Sequence, residues 1–240
     1  MIKMEINTII NGDCLDVMKQ FDDESVDLIV TDPPYKVTPK GGWTSAGGML
    51  KTDMYKKGHV FKHDKITPDM YAPEFHRVLK NGSHCYVMCN HINLINMLNT
   101  FTASGFHFIK SLIWNKTNKI MGLYYMSQFE YILFFRKGKG IPIRNNGQAD
   151  ILTIPQNKTK SKNGKNLHDT EKPVELMKIL VENSSDRWNL VLDPFARIGS
   201  TCLACMDLNR NYIGIEIDEN YYTIAKSRIE SRTRQSYLTD

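Results

Sequence analysis

The sequence predicts an α/β fold in which a largely parallel sheet is covered by helices on both faces. Apolar segments of strand length alternate along the 240 residues with segments of helical periodicity, and this alternation is typical of parallel sheets. Hydrophobic residues form 41% of the chain, enough for the core of a folded domain. The run from Val26 to Val30 is mostly apolar rather than alternating, as in a strand that is buried on both faces.

In the first half of the chain, turn residues separate the predicted elements. Ile9 and Ile10 form a short strand that leads through Asn11-Gly12-Asp13 into a helix. Asn81-Gly82 ends the second helix, because this pair is typical of turns. We expect strands over residues 9–10, 26–31, 83–89, 106–114 and 130–135, and helices over residues 14–21, 68–79 and 91–103.

In the second half, the alternation resumes after a polar stretch. Pro173 stands near the first turn of the next helix, where the fixed φ of proline is compatible with helical backbone. We expect helices over residues 173–183, 200–208 and 219–232, strands over residues 190–192 and 212–217, and a frayed tail.

Two segments show no sustained period. Residues 36–66 are rich in Gly, Lys, Thr and Tyr, and loops of this length are usually functional or mobile. The pairs Gly41-Gly42 and Gly47-Gly48 suit a lid that closes over a substrate, although a disordered surface loop is an equal alternative. Residues 137–167 are polar and turn-rich, which favours an inserted specificity segment.

Several classes of protein are disfavoured by composition. No apolar run reaches the roughly 18 residues of a membrane-spanning helix, and the N-terminus lacks a signal-peptide pattern, so we expect a cytoplasmic protein. The five cysteines are an odd number in a compartment that keeps thiols reduced. Cys202 and Cys205 lie in a predicted helix, and Cys85 and Cys89 in a predicted strand, where cysteine acts as a small hydrophobe. We therefore expect no metal site.

Asp32-Pro33-Pro34-Tyr35 directly follows the buried strand 26–31, at the sheet edge where α/β folds bind ligands. Asp32 can accept a hydrogen bond, and Pro33 offers a carbonyl beside it. Two fixed prolyl φ angles hold the turn rigid, and Tyr35 supplies a flat face on which a base can stack. The four residues suit a nucleobase that has left its stack, although a strand stopped by a plain Pro-Pro turn has the same sequence.

A second signal follows the strand 190–192, where residues 193–201 form a tight loop that opens a helix. The backbone N–H groups of such a loop suit an anionic group such as a carboxylate. Glu216 stands 17 residues after Gly199, near the spacing at which an acid accepts from ribose hydroxyls. The pattern fits S-adenosylmethionine or a dinucleotide, and an ordinary strand-turn-helix connection is the alternative.

Together these motifs resemble the DNA amino-methyltransferases of the permuted beta group. Asp32-Pro33-Pro34-Tyr35 stands before the loop Phe195-Ala196-Arg197-Ile198-Gly199, and between them 168–173 resembles the family's His-x-Thr-x-Lys-Pro element. Asn11-Gly12-Asp13 and Trp114-Asn115-Lys116 are weaker matches. The resemblance implies a seven-stranded, mostly parallel, Rossmann-like sheet with circularly permuted motif order, and S-adenosylmethionine as the cofactor.

By resemblance, Glu216 holds the cofactor's ribose, and Asp13 with the Cys14 backbone meets its adenine. Lys172 helps to bind the carboxylate, a role that its charge also favours. The full set of expected cofactor residues is Asp13, Cys14, Asp32, His168, Thr170, Lys172, Asp193, Phe195, Arg197, Gly199, Ser200, Thr201 and Glu216.

The expected catalytic residues are Asp32, Pro33, Pro34 and Tyr35. Asp before Pro-Pro-Tyr resembles the adenine-N6 enzymes more than the cytosine-N4 enzymes, which remain an alternative. Transfer to a protein amide is disfavoured, because the enzymes that methylate glutamine carry Asn at the position of Asp32.

The net charge of +5 permits a polyanionic partner without requiring one. The resemblance implies double-stranded DNA as that partner, and it leaves a homodimer and a cognate restriction enzyme open. Residues expected to contact DNA are Trp43, Lys56, Lys57, Lys137, Lys139, Arg144, Lys158 and Lys160. We therefore divide the chain into a catalytic half (1–136), a target-recognition insert (137–167), a cofactor-binding half (168–232) and a tail (233–240).

Arg197 departs from the family pattern, which has glycine at this position. Glycine allows a positive φ and close approach of the backbone to a ligand, whereas another residue in that conformation costs about 1–2 kcal/mol. Three outcomes follow: the side chain points outward, it reaches the cofactor carboxylate, or it weakens cofactor binding and leaves a DNA-binding homologue with little activity.

Overall fold

A computed structural model describes residues 5–34, 66–120, 125–156 and 171–236. Eight strands in this part of the chain form a single sheet with the order β1-β8-β7-β2-β3-β5-β4-β6. The strands are β1 (Thr8–Asn11), β2 (Val26–Thr31), β3 (Leu79–Cys89), β4 (Phe106–Ile120), β5 (Ser127–Lys137), β6 (Ile151–Thr153), β7 (Leu190–Asp193) and β8 (Asn211–Glu216).

The sheet is mostly parallel, as predicted. β5 runs antiparallel to both of its neighbours, β3 and β4, and the other described pairs are parallel. The predicted strand count of seven was one too low. Sequence analysis missed β6, whose three residues pair with β4 at the sheet edge; a strand this short gives too little periodicity to recognise.

Six described helices cover the two faces: α1 (Cys14–Met18), α2 (Pro68–Val78), α3 (Leu94–Ala103), α4 (Val174–Ser184), α5 (Ser200–Asp207) and α6 (Glu219–Ser236). The first three pack on one face, where Met18, Phe75 and Phe101 join a buried cluster with Ile29 of β2. α4 and α5 pack on the other face with Leu28 and Val30. Successive residues of β2 thus point to opposite faces, both of which are buried, which explains the nearly unbroken apolar run.

Asn81-Gly82 does not end a helix but lies within β3, and the prediction for this turn was wrong. β2 pairs Val26 with Leu79 and then Leu28 with His84, so β3 carries extra residues here. Gly82 adopts a φ of 86°, which glycine tolerates without strain. The turn pair therefore forms a bulge in a strand, which begins directly after α2.

The chain order places β2 beside β7 at the centre of the sheet, with Leu28 opposite Val191 and Ile29 opposite Leu192. From β2 the chain continues to β3 on one side, and from β7 it continues to β8 on the other. This is a topological switch point, where the loops at the carboxyl ends of the strands diverge and open a crevice. The two predicted motifs, at Asp32 and Asp193, emerge there side by side.

All five cysteines are buried and reduced. Burial raises the pKa of the Cys14 and Cys89 thiols to about 12, which keeps them protonated at neutral pH. Cys85, Cys89, Cys202 and Cys205 are core residues, as predicted. No helix in the described ranges is long and apolar enough to cross a lipid bilayer.

Candidate active site

Asp32 stands one residue beyond β2 and is 5% exposed. Its Oδ2 atom accepts from Lys172 Nζ at 2.5 Å and lies 2.9 Å from an Arg197 guanidinium nitrogen. Its Oδ1 atom is buried and has no hydrogen-bond partner within the described part of the chain. A buried carboxylate oxygen without a donor is costly, so this atom is a natural acceptor for a ligand N–H group.

A second buried carboxylate, Glu130 on β5, shares the Lys172 ammonium with Asp32. Glu130 Oε2 lies 3.4 Å from Lys172 Nζ, and Oε1 accepts a short hydrogen bond from Lys116 on β4. Burial alone would raise the pKa of Glu130, but the charges of Lys172 and Lys116 lower it to about 2. The site therefore holds alternating charges in contact: Lys116, Glu130, Lys172 and Asp32.

Trp114 lies beneath the two lysines and is fully buried. The Lys116 and Lys172 ammonium groups lie 5.0 Å and 6.0 Å from the centroid of its ring, a distance at which a cation is attracted to an indole face. The indole N–H donates to the Ile154 carbonyl at 2.8 Å. The two ammonium groups and the hydrogen bond of the indole N–H therefore fix the position of the ring.

The predicted cofactor loop begins at Asp193, the last residue of β7. Its Oδ1 atom accepts from the Thr31 hydroxyl at 2.7 Å and from the Phe195 N–H at 3.2 Å, and Thr201 also hydrogen-bonds to this side chain. Burial raises the pKa of Asp193 to about 6. These bonds tie the loop to the end of β2, so Asp193 positions the loop relative to Asp32.

Glu216, at the end of β8, binds the backbone of the same loop. Its Oε2 atom accepts from the Arg197 N–H and its Oε1 atom from the Asp218 N–H, each at 2.8 Å. Burial raises its pKa. β1 pairs Asn11 with Glu216, which brings Asp13, the N-cap of α1, to the same edge. The residues predicted to meet ribose and adenine are thus neighbours.

Arg197 adopts a φ of 49°, the left-handed conformation that glycine would allow without cost. Its side chain is 14% exposed and turns toward Asp32. The predicted alternative in which this side chain points outward is therefore wrong. Arg197 instead bridges the cofactor loop and the Asp-Pro-Pro motif.

Comparison with known proteins identifies the family. A family model described as DNA methylase, of the N6/N4 type, matches residues 26–227. The chain belongs to this family. N6/N4 DNA methylases are S-adenosylmethionine-dependent amino-methyltransferases that act on DNA.

Individual relatives agree with this assignment. The chain is 28% identical over 245 residues to the type II methyltransferase M.HinfI of Haemophilus influenzae, which covers 93% of this chain and 68% of that protein. The M1.HpyAVI–SAM complex has a TM-score of 0.67 at 22% identity and covers 92% of this chain and 98% of its own. The cytosine-N4-specific PvuII DNA methyltransferase has a TM-score of 0.74 at 16% identity, with coverages of 97% and 92%. At these identities the two structures support the fold.

The described residues fit an S-adenosylmethionine molecule. Glu216 and Asp13 offer carboxylate oxygens to hydroxyl and amino donors, and the N-terminus of α5 and the Lys172 and Arg197 side chains offer positive charge for a carboxylate. Asp32, whose Oδ1 has no hydrogen-bond partner in the described ranges, follows β2 at the same edge. Lys172 is bound to Asp32 and Glu130, so its contact with the cofactor remains a prediction.

Several predicted site residues lie outside the described ranges. They are Tyr35, nearly all of the loop 36–66 with Trp43, Lys56 and Lys57, the lysines Lys158 and Lys160, and the pair His168 and Thr170. Pro33 and Pro34 are described and follow Asp32 at the carboxyl edge.

Three residues predicted to contact DNA lie at the opposite end of the strands from Asp32, where the parallel strands begin. Lys137 donates to the Leu79 carbonyl at 2.8 Å and pairs with Glu24, next to the start of β2. Lys139 follows it, and Arg144 donates to the Ser185 carbonyl beyond the end of α4. This placement does not support contacts from these residues to a DNA base bound at Asp32.

Sequence analysis missed Glu130, Glu171 and Arg228. Arg228 of α6 donates to the Ile198 carbonyl at 2.6 Å and to Glu171 at 2.8 Å, and so ties the cofactor loop to the residue before Lys172. A lone acid at the start of an apolar strand was a usable signal for Glu130. Arg228 has no such signal, since arginines are common on exposed helices.

Proposed function

We propose that this chain transfers a methyl group from S-adenosylmethionine to the exocyclic N6 amino group of adenine in duplex DNA. The observation that carries this proposal is the buried Oδ1 atom of Asp32, which has no hydrogen-bond partner among the residues that the structure describes. An exocyclic amino group has two N–H donors, and base flipping would bring it to this edge. Asp32 Oδ1 accepts one donor, and the Pro33 carbonyl accepts the other.

Lys172 and Arg197 both contact Oδ2 of Asp32 and so hold the carboxylate plane in one orientation. The Oδ1 lone pairs are left for the substrate. Two acceptors at the amino group favour a pyramidal nitrogen. Its lone pair is then no longer delocalised into the ring and can point at the methyl group. Such pre-set geometry lowers the barrier without a covalent enzyme intermediate.

When bound, S-adenosylmethionine supplies a methyl group on a positively charged sulfur, which is a good leaving group. The amino nitrogen forms a bond to the methyl carbon as the carbon–sulfur bond breaks and its electron pair passes to sulfur. The nitrogen then releases one proton to Asp32 or to water. Tyr35 stacks on the flipped base.

Adenine is favoured over cytosine by the Asp at position 32, and the likeness to the PvuII enzyme keeps cytosine-N4 as the alternative. Labelled S-adenosylmethionine and duplex DNA, followed by digestion to nucleosides, test the choice directly. We expect N6-methyladenine. N4-methylcytosine would overturn the base assignment and leave the mechanism intact.

A second candidate function follows from the Arg197–Asp32 pair. The guanidinium lies on the carboxylate that must meet the amino group, which favours a DNA-binding homologue with impaired cofactor use. Wild-type protein that binds DNA but transfers no label would support this candidate. Transfer by Arg197→Gly under the same conditions would locate the defect in the loop.

A further inference from the structure

We propose that Glu130 is a positioning residue for methyl transfer, which holds the Lys172 ammonium against Oδ2 of Asp32. The inference rests on the proposed function, because it concerns the same carboxylate. Glu130 itself would not touch the base or the cofactor. Its effect passes through Lys172.

The position of Lys172 supports this role. Its ammonium lies 2.5 Å from Asp32 Oδ2 and 3.4 Å from Glu130 Oε2, and the residue is 5% exposed. A buried ammonium without counter-charge is costly. The carboxylates of Asp32, which follows β2, and of Glu130 on β5 therefore hold one ammonium between them.

Glu130 is itself held from the adjacent strand. Trp114 of β4 pairs directly with Glu130 of β5, and Lys116, two residues further along, donates to Glu130 Oε1. Because the same tryptophan ring lies near both lysines, the antiparallel strands β4 and β5 together support Lys172.

The charges give the proposal a distinctive pH signature. The charged groups that face Lys172 in the described chain are Asp32 after β2, Glu130 on β5, Lys116 on β4 and, through Asp32, Arg197 of the cofactor loop. Without the Glu130 charge, one carboxylate remains against three cations. The protonated form of Lys172 is then disfavoured, since burial and like charges lower a lysine pKa.

Single-turnover transfer from labelled S-adenosylmethionine tests the inference with Glu130→Gln, which keeps the shape of the side chain. We expect the rate at saturating S-adenosylmethionine to fall by about 100-fold, as for a small misplacement of a catalytic group. As pH rises from 7 to about 9, the variant rate should fall more steeply than the wild-type rate. Glu130→Asp should restore part of the rate.

The matched control is Glu230→Gln, an exposed glutamate on α6 that pairs with Arg234. It should leave the rate and its pH profile unchanged. A purely structural role for Glu130 would lower the amount of folded protein but would not add an alkaline limb. A Glu130→Gln enzyme with the wild-type rate and profile would overturn the inference and leave the proposed function standing.

A second readout needs no methyl transfer. NMR titration of ¹³C-labelled lysine side chains, with the Lys172 signal assigned by its loss in Lys172→Arg, reports this ammonium in the protein alone. We expect the Lys172 signal to titrate at lower pH in Glu130→Gln than in wild type. Equal titration would overturn the inference even if the wild-type protein proved unable to methylate DNA, a result that would separately overturn the proposed function.

Discussion

Arg197 affects the site in two separate ways, through its backbone and through its side chain. Its backbone has a φ of 49°, which is costly for any residue except glycine, and its guanidinium binds Oδ2 of Asp32. The N–H of the same residue donates to Glu216. The left-handed backbone thus directs the N–H toward Glu216 and the side chain toward Asp32.

Comparison of Arg197→Ala with Arg197→Gly separates these effects. Both variants remove the ion pair with Asp32, but only glycine relieves the left-handed backbone. We expect Arg197→Gly to be more stable than Arg197→Ala by about 1–2 kcal/mol in urea unfolding. We also expect both variants to bind S-adenosylmethionine more weakly than wild type in calorimetry, because both lose a positive charge that is available to the cofactor carboxylate. Tighter binding by both would support the candidate function in which Arg197 impairs cofactor use.

Asp193 makes stability depend on pH. Its pKa is raised to about 6 in the fold, so the folded state binds a proton more tightly than the unfolded state between pH 4 and 6. The contribution of Asp193 to stability therefore falls as pH rises through this interval. Asp193→Asn should gain stability relative to wild type by about 1–3 kcal/mol from pH 4 to pH 7.

Urea unfolding at both pH values measures this difference. The control is Asp150→Asn, since Asp150 is exposed and its hydrogen bond and charge interaction with Lys110 lower its pKa. That variant should show no relative gain over the same interval. A pH-independent difference for Asp193→Asn would mean that Asp193 ionises normally.

At the scale of the elements, β8 and α5 pack closely at Gly214 of β8. A Cβ atom there would lie 2.7 Å from Cys202 Sγ and 3.0 Å from Ala196 Cβ. Ala196 belongs to the cofactor loop, and its N–H donates to Ile215 of β8 at 2.8 Å. The glycine therefore lets the loop lie directly on the strand that carries Glu216.

Gly214→Ala should separate the loop from this strand. We expect a loss of about 1–3 kcal/mol in the free energy of unfolding, typical of overpacking a core, and weaker cofactor binding in calorimetry. Gly147→Ala is the matched control, because its nearest atom, Asn145 Oδ1, is 3.4 Å away in an exposed turn. Equal effects of the two substitutions would contradict the packing argument.

Local patterns were sufficient for the main elements but not for the contacts between them. The run 26–31 is a strand, as predicted, because it is mostly apolar and the Pro33-Pro34 turn follows it closely. The link between Glu130 and Lys116 depends on the register of β4 against β5, which no local pattern encodes. The inward turn of Arg197 depends on a partner 165 positions away in sequence, at Asp32. Motifs therefore predicted where the site lies, and tertiary packing decided which charges meet.

At the scale of the whole molecule, the two ends of the strands carry different sets of charged residues. Asp32, Asp193 and Glu216 lie at the carboxyl edge, whereas Lys137, Lys139 and Arg144 lie toward the other edge, where Lys137 pairs with Glu24. β6 runs parallel to β4 and so ends at the carboxyl edge, five residues before Lys158. We therefore expect DNA to approach this edge.

Charge reversal at two lysines tests the direction of approach. Lys158→Glu should weaken DNA binding and lower the slope of log affinity against log salt by about 1. Lys139→Glu, the same substitution at the opposite edge, should change neither quantity. Fluorescence anisotropy across a salt series measures both. A larger effect of Lys139→Glu would place the DNA at the amino edge instead.

The pairing of β1 with β8 has a consequence for synthesis. Asn11 finds its partner, Glu216, only 205 residues later, so at ~5–20 residues per second the first strand stays unpaired for roughly 10–40 s on the ribosome. An unpaired strand edge invites association with other chains. Asp13 reaches its place beside Glu216 only when this last strand docks. A nascent chain therefore completes its cofactor site at the end of translation, and truncated chains that lack β8 should fail to form it.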